Sequence, residues 1–434
     1  MARPPDPPPS PSPTAPAARD SVFRHRGFTA FLVARVVAVV ATQVQAVVVA
    51  WQVYDLTREP LALAWVGLAQ FLPMLGLLLP AGDLIDRHDR RRILGLSWSV
   101  GALCSALLWW LSGHGASGVG GIYAVLVLYG CARAFSGPAM QSLLPQIVPR
   151  GQLAQAIAAN SMLMRSAAVG GPLLGGGLYA LGGGELTYAV CCGCFVLGAA
   201  LLRRVTVAHA GPRTAAQGTM TERFGAGIAF IRSRPIILGT ISLDLFAVLL
   251  GGVVALLPIY AQEVLHVGPA GLGALRSAMA AGEVGMGLLL SLRPITRRVG
   301  PAMFAAVAVF GAANLVFALS HWFWLSCLML GIAGAADMVS VNIRGTLVQF
   351  STPDAMRGSV NAVNMLFIGS SNELGEFRAG TTAAWLGTVP AAVLGGVCTL
   401  GVVVAWMKVF PLLRRVDRFE EAARASEVQA LGGR

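Results

Sequence analysis

Twelve apolar runs, separated for the most part by short polar turns, leave this chain few ways to fold. They fall near residues 29–51, 61–82, 93–112, 120–142, 157–182, 186–202, 236–260, 272–292, 301–320, 322–348, 359–383 and 387–410. A run of roughly 20 residues is what one helix needs to cross the ~30 Å hydrocarbon core of a bilayer. Only 12% of the 434 residues are charged and 56% are hydrophobic, against about a quarter charged in soluble domains. A surface that poor in charge belongs in lipid. No stretch alternates in polarity as the strands of an outer-membrane barrel do, and 52 glycines suit membrane helices that approach one another over small residues. The expected fold is therefore an all-α membrane protein of twelve transmembrane helices.

The net charge of +12 does not point to nucleic acid. A nucleic-acid binder gathers its basic residues on a soluble domain, whereas here the arginines sit at the ends of apolar runs. Of the 32 basic residues only Lys408 is a lysine, which leaves nothing for a phosphate loop of the GxxxxGK[ST] kind or a Schiff base, and makes ATP-driven transport by this chain alone an unfavoured reading. All seven cysteines fall inside apolar runs. Cys191, Cys192 and Cys194 have no His, Asp or Glu in their run and lack zinc-site spacing, so they read as small apolar filler. No metal and no cofactor is expected.

Residues 1–27 begin MARPPDPPPSPSPTAPAARD, a Pro-rich cytoplasmic tail expected to be disordered and extended. The one long connection, 203–235, is Arg-rich and divides the chain into an N-terminal half, 28–202, and a C-terminal half, 236–410, each of six runs; residues 411–434 form a second tail. Within the connection Phe224, Ile228 and Ile231 recur at helical spacing, which predicts a short helix on the membrane surface. With the N-terminus inside, cytoplasmic loops and tails hold 25 of the 32 basic residues and outer loops hold only Arg58. The positive-inside rule then makes both termini cytoplasmic.

The charges inside the runs are the candidate site. Arg35 lies on run one, Arg133 on four, Arg165 on five and Asp244 on seven. Run eight has Arg276 and Glu283, run ten Asp337 and Arg344, and run eleven Glu373, Glu376 and Arg378. A charge near the bilayer centre costs a few kcal/mol or more unless it faces a wet cavity or a partner. Runs three, six, nine and twelve carry none, with Lys408 at the cytoplasmic end of run twelve counted in the tail, the period expected of triple-helix units whose third member faces lipid. Four such units around a polar cavity are the architecture of a secondary transporter. At 1.5 Å per residue, Asp244 lies ~12 Å and Glu283 ~17 Å from the starts of their runs, both near the midplane. Glu373 and Glu376 share one helical face. For each acid an ion pair with a neighbouring arginine is the competing reading. No histidine sits at mid-depth, so a proton relay would have to use carboxylates, which load and release protons near neutral pH once they leave water.

The turn between runs two and three reads GDLIDRHDRRR, from Gly82 to Arg92. It resembles the loop signature of the major facilitator superfamily, with Gly82, Leu84, Asp86, Arg87, Arg90 and Arg91 on the pattern and Asp89 where glycine is usual. The resemblance implies a cytoplasmic latch: Gly82 for close helix approach, and Asp86 against a helix N-terminus and arginines. Arg133-Ala-Phe-Ser-Gly137 resembles the second signature of the superfamily, whose arginine is associated with proton coupling, with Ser136 in place of Gln. Gly171, Pro172, Gly175 and Gly176 match the core of the antiporter motif, though Ala158 and Ala167 replace its earlier glycines. LRPITRRVGPAM, at 292–303, echoes the loop without its aspartate. Residues 242–261, 336–364 and 371–377 are similar to bacterial siderophore exporters of the drug:proton antiporter kind, in which an acid often stands where Arg378 does.

These readings combine into a monomeric, proton-coupled exporter of a small organic molecule, such as a siderophore, in the cell inner membrane. Asp244, Glu283 and Arg133 are the candidate proton-coupling groups. Arg35, Asp337, Glu373 and Glu376 are the candidate substrate contacts, with Arg35 and Arg133 also acting as counter-charges. The alternatives are a multidrug or macrolide pump and a transport-dead sensor. A membrane enzyme would gather its titratable groups at one interface, and here they spread over seven runs at several depths. Cargo charge discriminates within transport: an anionic catecholate wants arginines facing the cavity, and a cationic drug wants the acids.

Overall fold

The computed structural model describes residues 26–113, 118–149, 152–205 and 220–421. The expected N-terminal tail, except residues 26 and 27, lies outside them, as does the side chain of Asp86. Every regular element among the described residues is helical. Four helices open the chain: α1 Arg26–Thr57, α2 Pro60–Arg87, α3 Arg90–Gly113 and α4 Val119–Ile147. α5 follows at Leu153–Leu202 and the short α6 at Met220–Arg232. Next come α7 Pro235–Gly251, a 3-10 turn Val254–Leu256, α8 Leu257–Ile259 and a π turn Tyr260–Val264. The chain closes with α9 Gly268–Leu292, α10 Val299–Leu319, α11 Phe323–Phe350, α12 Asp354–Leu386, α13 Thr388–Val409 and α14 Pro411–Arg415.

Among the described residues, ten helical stretches are long and apolar enough to cross a membrane. One of them, Gln155–Leu202, has 48 residues, which at 1.5 Å per residue is over twice the ~30 Å hydrocarbon core. The chain breaks it at Gly182 and at Gly183, whose φ of 62° and ψ of −161° are accessible in practice only to glycine. Before the break Gly171 and Gly175 lie against Gln43 and Val44 of α1. After it, Tyr188 reaches Gln52 and Gly198 lies against Ala34. One arm thus runs up α1 and the other down it, so α5 is a helical hairpin covering the fifth and sixth runs. α12 is not among the ten because Arg357, Glu373, Glu376 and Arg378 interrupt its apolar character, yet at 33 residues it is long enough.

The seventh run is broken, which its sequence did not predict. α7 stops at Gly251, and Gly252 takes an extended conformation. A helix that ends in apolar surroundings leaves carbonyls unpaired, at a cost of several kcal/mol each in lipid. Side chains from three helices donate to carbonyls at this end. Arg378 on α12 donates to the carbonyls of Leu249 (3.1 Å) and Gly252 (3.4 Å). Asn314 on α10 donates to Gly251 (3.4 Å) and Thr399 on α13 to Ala247 (3.3 Å).

Helices α1 to α5 pack chiefly on one another, as do α7 to α13. The two groups meet mainly where α5 lies on α9 and α2 on α12. Glycine sets both contacts: Gly176 faces the backbone of Pro269 and Ala270, Gly273 faces Pro172, and Gly380 faces Pro60 and Ala64. The expected surface helix is present as α6, but its apolar face turns to protein rather than lipid. Ile231 is buried, and Phe224 and Ile228 pack beside it in a cluster with Ile237, Ile241, Val348 and Val360. The physical reason is backbone approach: Gly227 brings α6 against the Ser359 carbonyl of α12.

Candidate functional site

We call the end bearing the α1–α2 and α12–α13 turns upper, and the end bearing the α2–α3 turn lower. Two connected chambers occupy the seam between the helix groups. The upper one encloses about 160 Å³ and is lined in part by Gln43, Gln70, Tyr129, Arg133, Arg276, Glu373 and Glu376. The second encloses about 400 Å³ and shares Gln43, Arg276, Glu373 and Glu376, adding Glu283, Asn314, Asp337 and Asn372. Thus six of the eleven intramembrane charges, spread over more than two hundred residues of chain, line one continuous cavity.

Local structure explains how they converge. In α12, Glu373 and Glu376 lie one turn apart and reach across to α2, where Gly67 leaves space for both carboxylates. Trp65 and Phe377 meet edge-on beside them, with ring centroids 5.7 Å apart. Arg133 projects from α4 and donates to Gln70 (3.2 Å), with Glu373 at 3.9 Å. Gly130, one turn earlier, allows that approach by lying against the carbonyl of Gln70 and the ring of Pro73. Arg276 of α9 completes the upper group as the cation beside Glu376. One guanidinium from each helix group thus faces a pair of acids from the second group, a balanced cluster able to exchange partners.

Glu283 and Asp337 are brought together by α9 and α11. Gly282 faces the Gly331 carbonyl and Gly334 faces that of Met279, so the two backbones nearly touch and the acids face the same chamber. Arg165 of α5, whose Nη1 approaches the sulfur of Met338 (3.7 Å), is the basic neighbour of Glu283. Asp244 behaves differently. It forms an ion pair with Arg344, the side chains being 7% and 4% exposed, and it lines neither chamber. The competing ion-pair reading describes Asp244 better than the proton-coupling one: with its partner on the facing helix, it has no open face. Arg35 also lines neither chamber, and its Nε is buried without a hydrogen-bond partner. Arg378 is committed to the α7 carbonyls.

Gly171 and Gly175 of the GPLLGG stretch seat α5 on α1, and Gly176 and Pro172 seat it on α9, so the motif packs against both helix groups. At the upper end, Tyr54 donates to the Glu263 carboxylate and Gln262 donates to Asp55 (2.8 Å), which ties α1 to the π turn across the seam. At the lower end, Arg87 pairs with Asp83 (3.0 Å), Arg90 donates to the carbonyl of Ser142 (3.2 Å) and Arg91 to that of Val205 (2.8 Å). Asp83, Ser142 and Val205 all precede the C-terminal half, and Gly82 is half-buried at the end of α2. Among the described residues no group of three His, Cys, Asp or Glu side chains could hold a metal, and the cysteines are unpaired thiols. The sequence reading missed Gln43, Asn314 and Asn372 in the cavity wall, and Tyr54, Asp55, Gln262 and Glu263 at the upper end. Neutral polar residues inside apolar runs were the available signal, since only a cavity or a partner justifies them there.

A helical bundle whose polar, charge-lined cavity lies between two helix groups, with α7 broken beside it, defines a membrane transporter. The profile of the family described as transmembrane secretion effector matches residues 17–430. The chain belongs to that family, within the major facilitator superfamily. It is 26% identical over 410 residues to the enterobactin exporter of Citrobacter koseri, covering 92% of this chain and 94% of that one. It is 25% identical to the enterobactin exporter of Escherichia coli O1:K1, covering 93% and 96%. Solved structures share the fold at lower identity. A bacterial homologue of the iron transporter ferroportin in an inward-facing state superposes with a TM-score of 0.67 at 19% identity, covering 92% of this chain and 100% of that one. A bacterial homologue of the lysosomal transporter Spinster, inward-facing and unoccupied, gives 0.68 at 15%, covering 94% and 99%.

Proposed function

We propose that the protein is a proton-coupled secondary exporter that moves a small organic molecule out across the cell inner membrane by alternating access. In this reading α5 counts as two crossings and α12 as one, giving twelve in two halves, 28–202 and 236–410, joined by the linker 203–235. Both termini are cytoplasmic, and the lower end faces the cytoplasm. The observation that carries the reading is the cavity itself: both halves contribute ionisable side chains to it, while Tyr54–Glu263 and Gln262–Asp55 hold its upper end together. The rocking of two halves about such a site needs no cofactor and no ATP. Gly82, Asp86, Arg87, Arg90 and Arg91 serve as the cytoplasmic latch when the cavity opens outward. In the conformation described, Arg90 bonds within its own half and Arg91 to Val205 at the start of the linker, as a released latch does.

Glu283 is the acid we assign to proton coupling, with Arg133 as the counter-charge that Glu373 and Glu376 exchange. The named cargo of the relatives makes a siderophore the first compound to test. The surplus of acids over arginines in the larger chamber supports a second reading, a pump for cationic drugs. Expressed under iron limitation in a host deleted for its own siderophore exporter, the chain is expected to return the siderophore to the medium, as read by mass spectrometry. Equal secretion with and without it would sink the siderophore reading. In everted vesicles, the transported compound is expected to dissipate a preset pH gradient, and a gradient left intact during transport would sink proton coupling.

A further inference from the structure

Four carboxylates and one arginine line the larger chamber, and matching the arginines around it to acids leaves one carboxylate over. Arg344 is taken by Asp244, Arg133 lies beside Glu373, and Arg276 beside Glu376. Arg378 is spent on backbone carbonyls and Arg165 faces Glu283. Asp337 remains. Its charged neighbours are Asp244, Glu283 and Arg344, two of them acids and the third an arginine already held. Among the described residues Asp337 has no hydrogen-bond or ion-pair partner, yet it lines the chamber. A lone carboxylate away from bulk water is costly until a proton or another cation neutralises it.

A second observation points the same way and is independent of charge. Asn314 is 1% exposed and lines the same chamber. Its amide nitrogen donates to Gly251 at the break in α7, which fixes the side chain, while Oδ1 is buried with no partner. A buried acceptor without a donor costs about 1–3 kcal/mol. The chamber therefore offers two carboxylates and an amide oxygen, all acceptors, to whatever enters. An ammonium group carries one positive charge and three donors, the complement of this set. A catecholate or carboxylate would add negative charge to an unbalanced site.

We propose that Asp337, Glu283 and Asn314 form a subsite for a protonated amine of the cargo. The proposal rests on reading the cavity as the transport path, and it names the chemical class that path accepts. It places Asp337, rather than Asp244, at the centre of recognition.

The test is a binding measurement, which needs no transport. Purified full-length protein in detergent is titrated with dansylcadaverine, an aryl alkylamine whose fluorescence rises on binding. Two matched compounds accompany it: its N-acetyl derivative, which is neutral, and dansyl-6-aminohexanoic acid, which is anionic. The amine is expected to bind at least about tenfold more tightly than either. Asp337→Asn should cost the amine about tenfold, leave the acetylated compound unchanged, and be rescued by Asp337→Glu. Unaltered size-exclusion behaviour of each variant separates recognition from folding. Equal affinity for all three compounds, no binding of the amine, or wild-type amine affinity in a folded Asp337→Asn would each overturn the subsite. Amine binding without gradient-driven export would support the subsite and count against the exporter reading.

Discussion

Asp244 on α7 and Asp337 on α11 are both intramembrane aspartates, and their surroundings are opposite. Asp244 meets Arg344 in a pair closed off by α7, α10, α11 and α13, whose side chains include Leu243, Phe304, Val307, Ile343 and Leu347. Asp337, about two turns from Arg344 along the same helix, faces the open chamber without a partner. The difference teaches that an acid in a membrane helix is ambiguous until its neighbour across the helix interface is known. Breaking a buried pair strands a charge, whereas neutralising an unpaired one removes a burden.

The largest expected effect follows directly. Arg344→Leu leaves Asp244 buried and uncompensated and should cost about 3–5 kcal/mol, read as a large fall in thermal unfolding temperature in detergent. Replacing both residues with leucine should recover most of that loss, because the charge is no longer stranded. Asp337→Asn should leave stability within about 1 kcal/mol of wild type or raise it slightly, because no partner is lost. Equal destabilisation by Arg344→Leu and Asp337→Asn would erase the contrast.

The helix charges were legible because charge inside an apolar run is rare and each one stands out. The eleven charged residues lie on the helices expected of them, and the two halves of the apolar pattern reappear as two packing groups. What pairs with what was not legible. Asp244 and Arg344 are a hundred residues apart in the chain, and nothing in either run marks them as partners. The break in α7 was equally hidden, since Gly251 and Gly252 look like any other small pair in a glycine-rich membrane chain. Its signature lay elsewhere, in Arg378 of α12 and Asn314 of α10, polar groups whose purpose appears only when the freed carbonyls are seen. The face of α6 was misassigned for a related reason: Phe224, Ile228 and Ile231 pack as well on protein as on lipid, and periodicity reports only that they share a face.

A middle-sized effect would sharpen the contrast through backbone approach. A side chain at Gly282 meets the Gly331 carbonyl and the Ala335 amide, so Gly282→Leu should force α9 from α11 at a cost of about 1–3 kcal/mol. The same shift moves Glu283 from Asp337, so amine binding should weaken further than stability alone accounts for. Thermal unfolding and dansylcadaverine titration on the same preparation measure both. Loss of stability with unchanged affinity would show that the two acids do not act together.

The smallest effect lies at the upper end, where Glu263 repeats the condition of Asp244: a carboxylate held by a partner on another helix, here the phenol of Tyr54. The partner is neutral, so removing it strands no charge, and Glu263 is exposed enough for water to take over. Tyr54→Phe should therefore cost the conformation closed at the upper end only about 1 kcal/mol, a several-fold shift toward a state open at that end. The Gln262–Asp55 bond still spans the seam and limits the shift. Spin labels at Leu56 and Leu265 would report it as growth of a longer distance population, with folding stability unaltered. An unchanged distribution would mean that the seal rests on the close packing of α5 on α9 and α2 on α12, where glycine backbones meet, and that the tyrosine only decorates it.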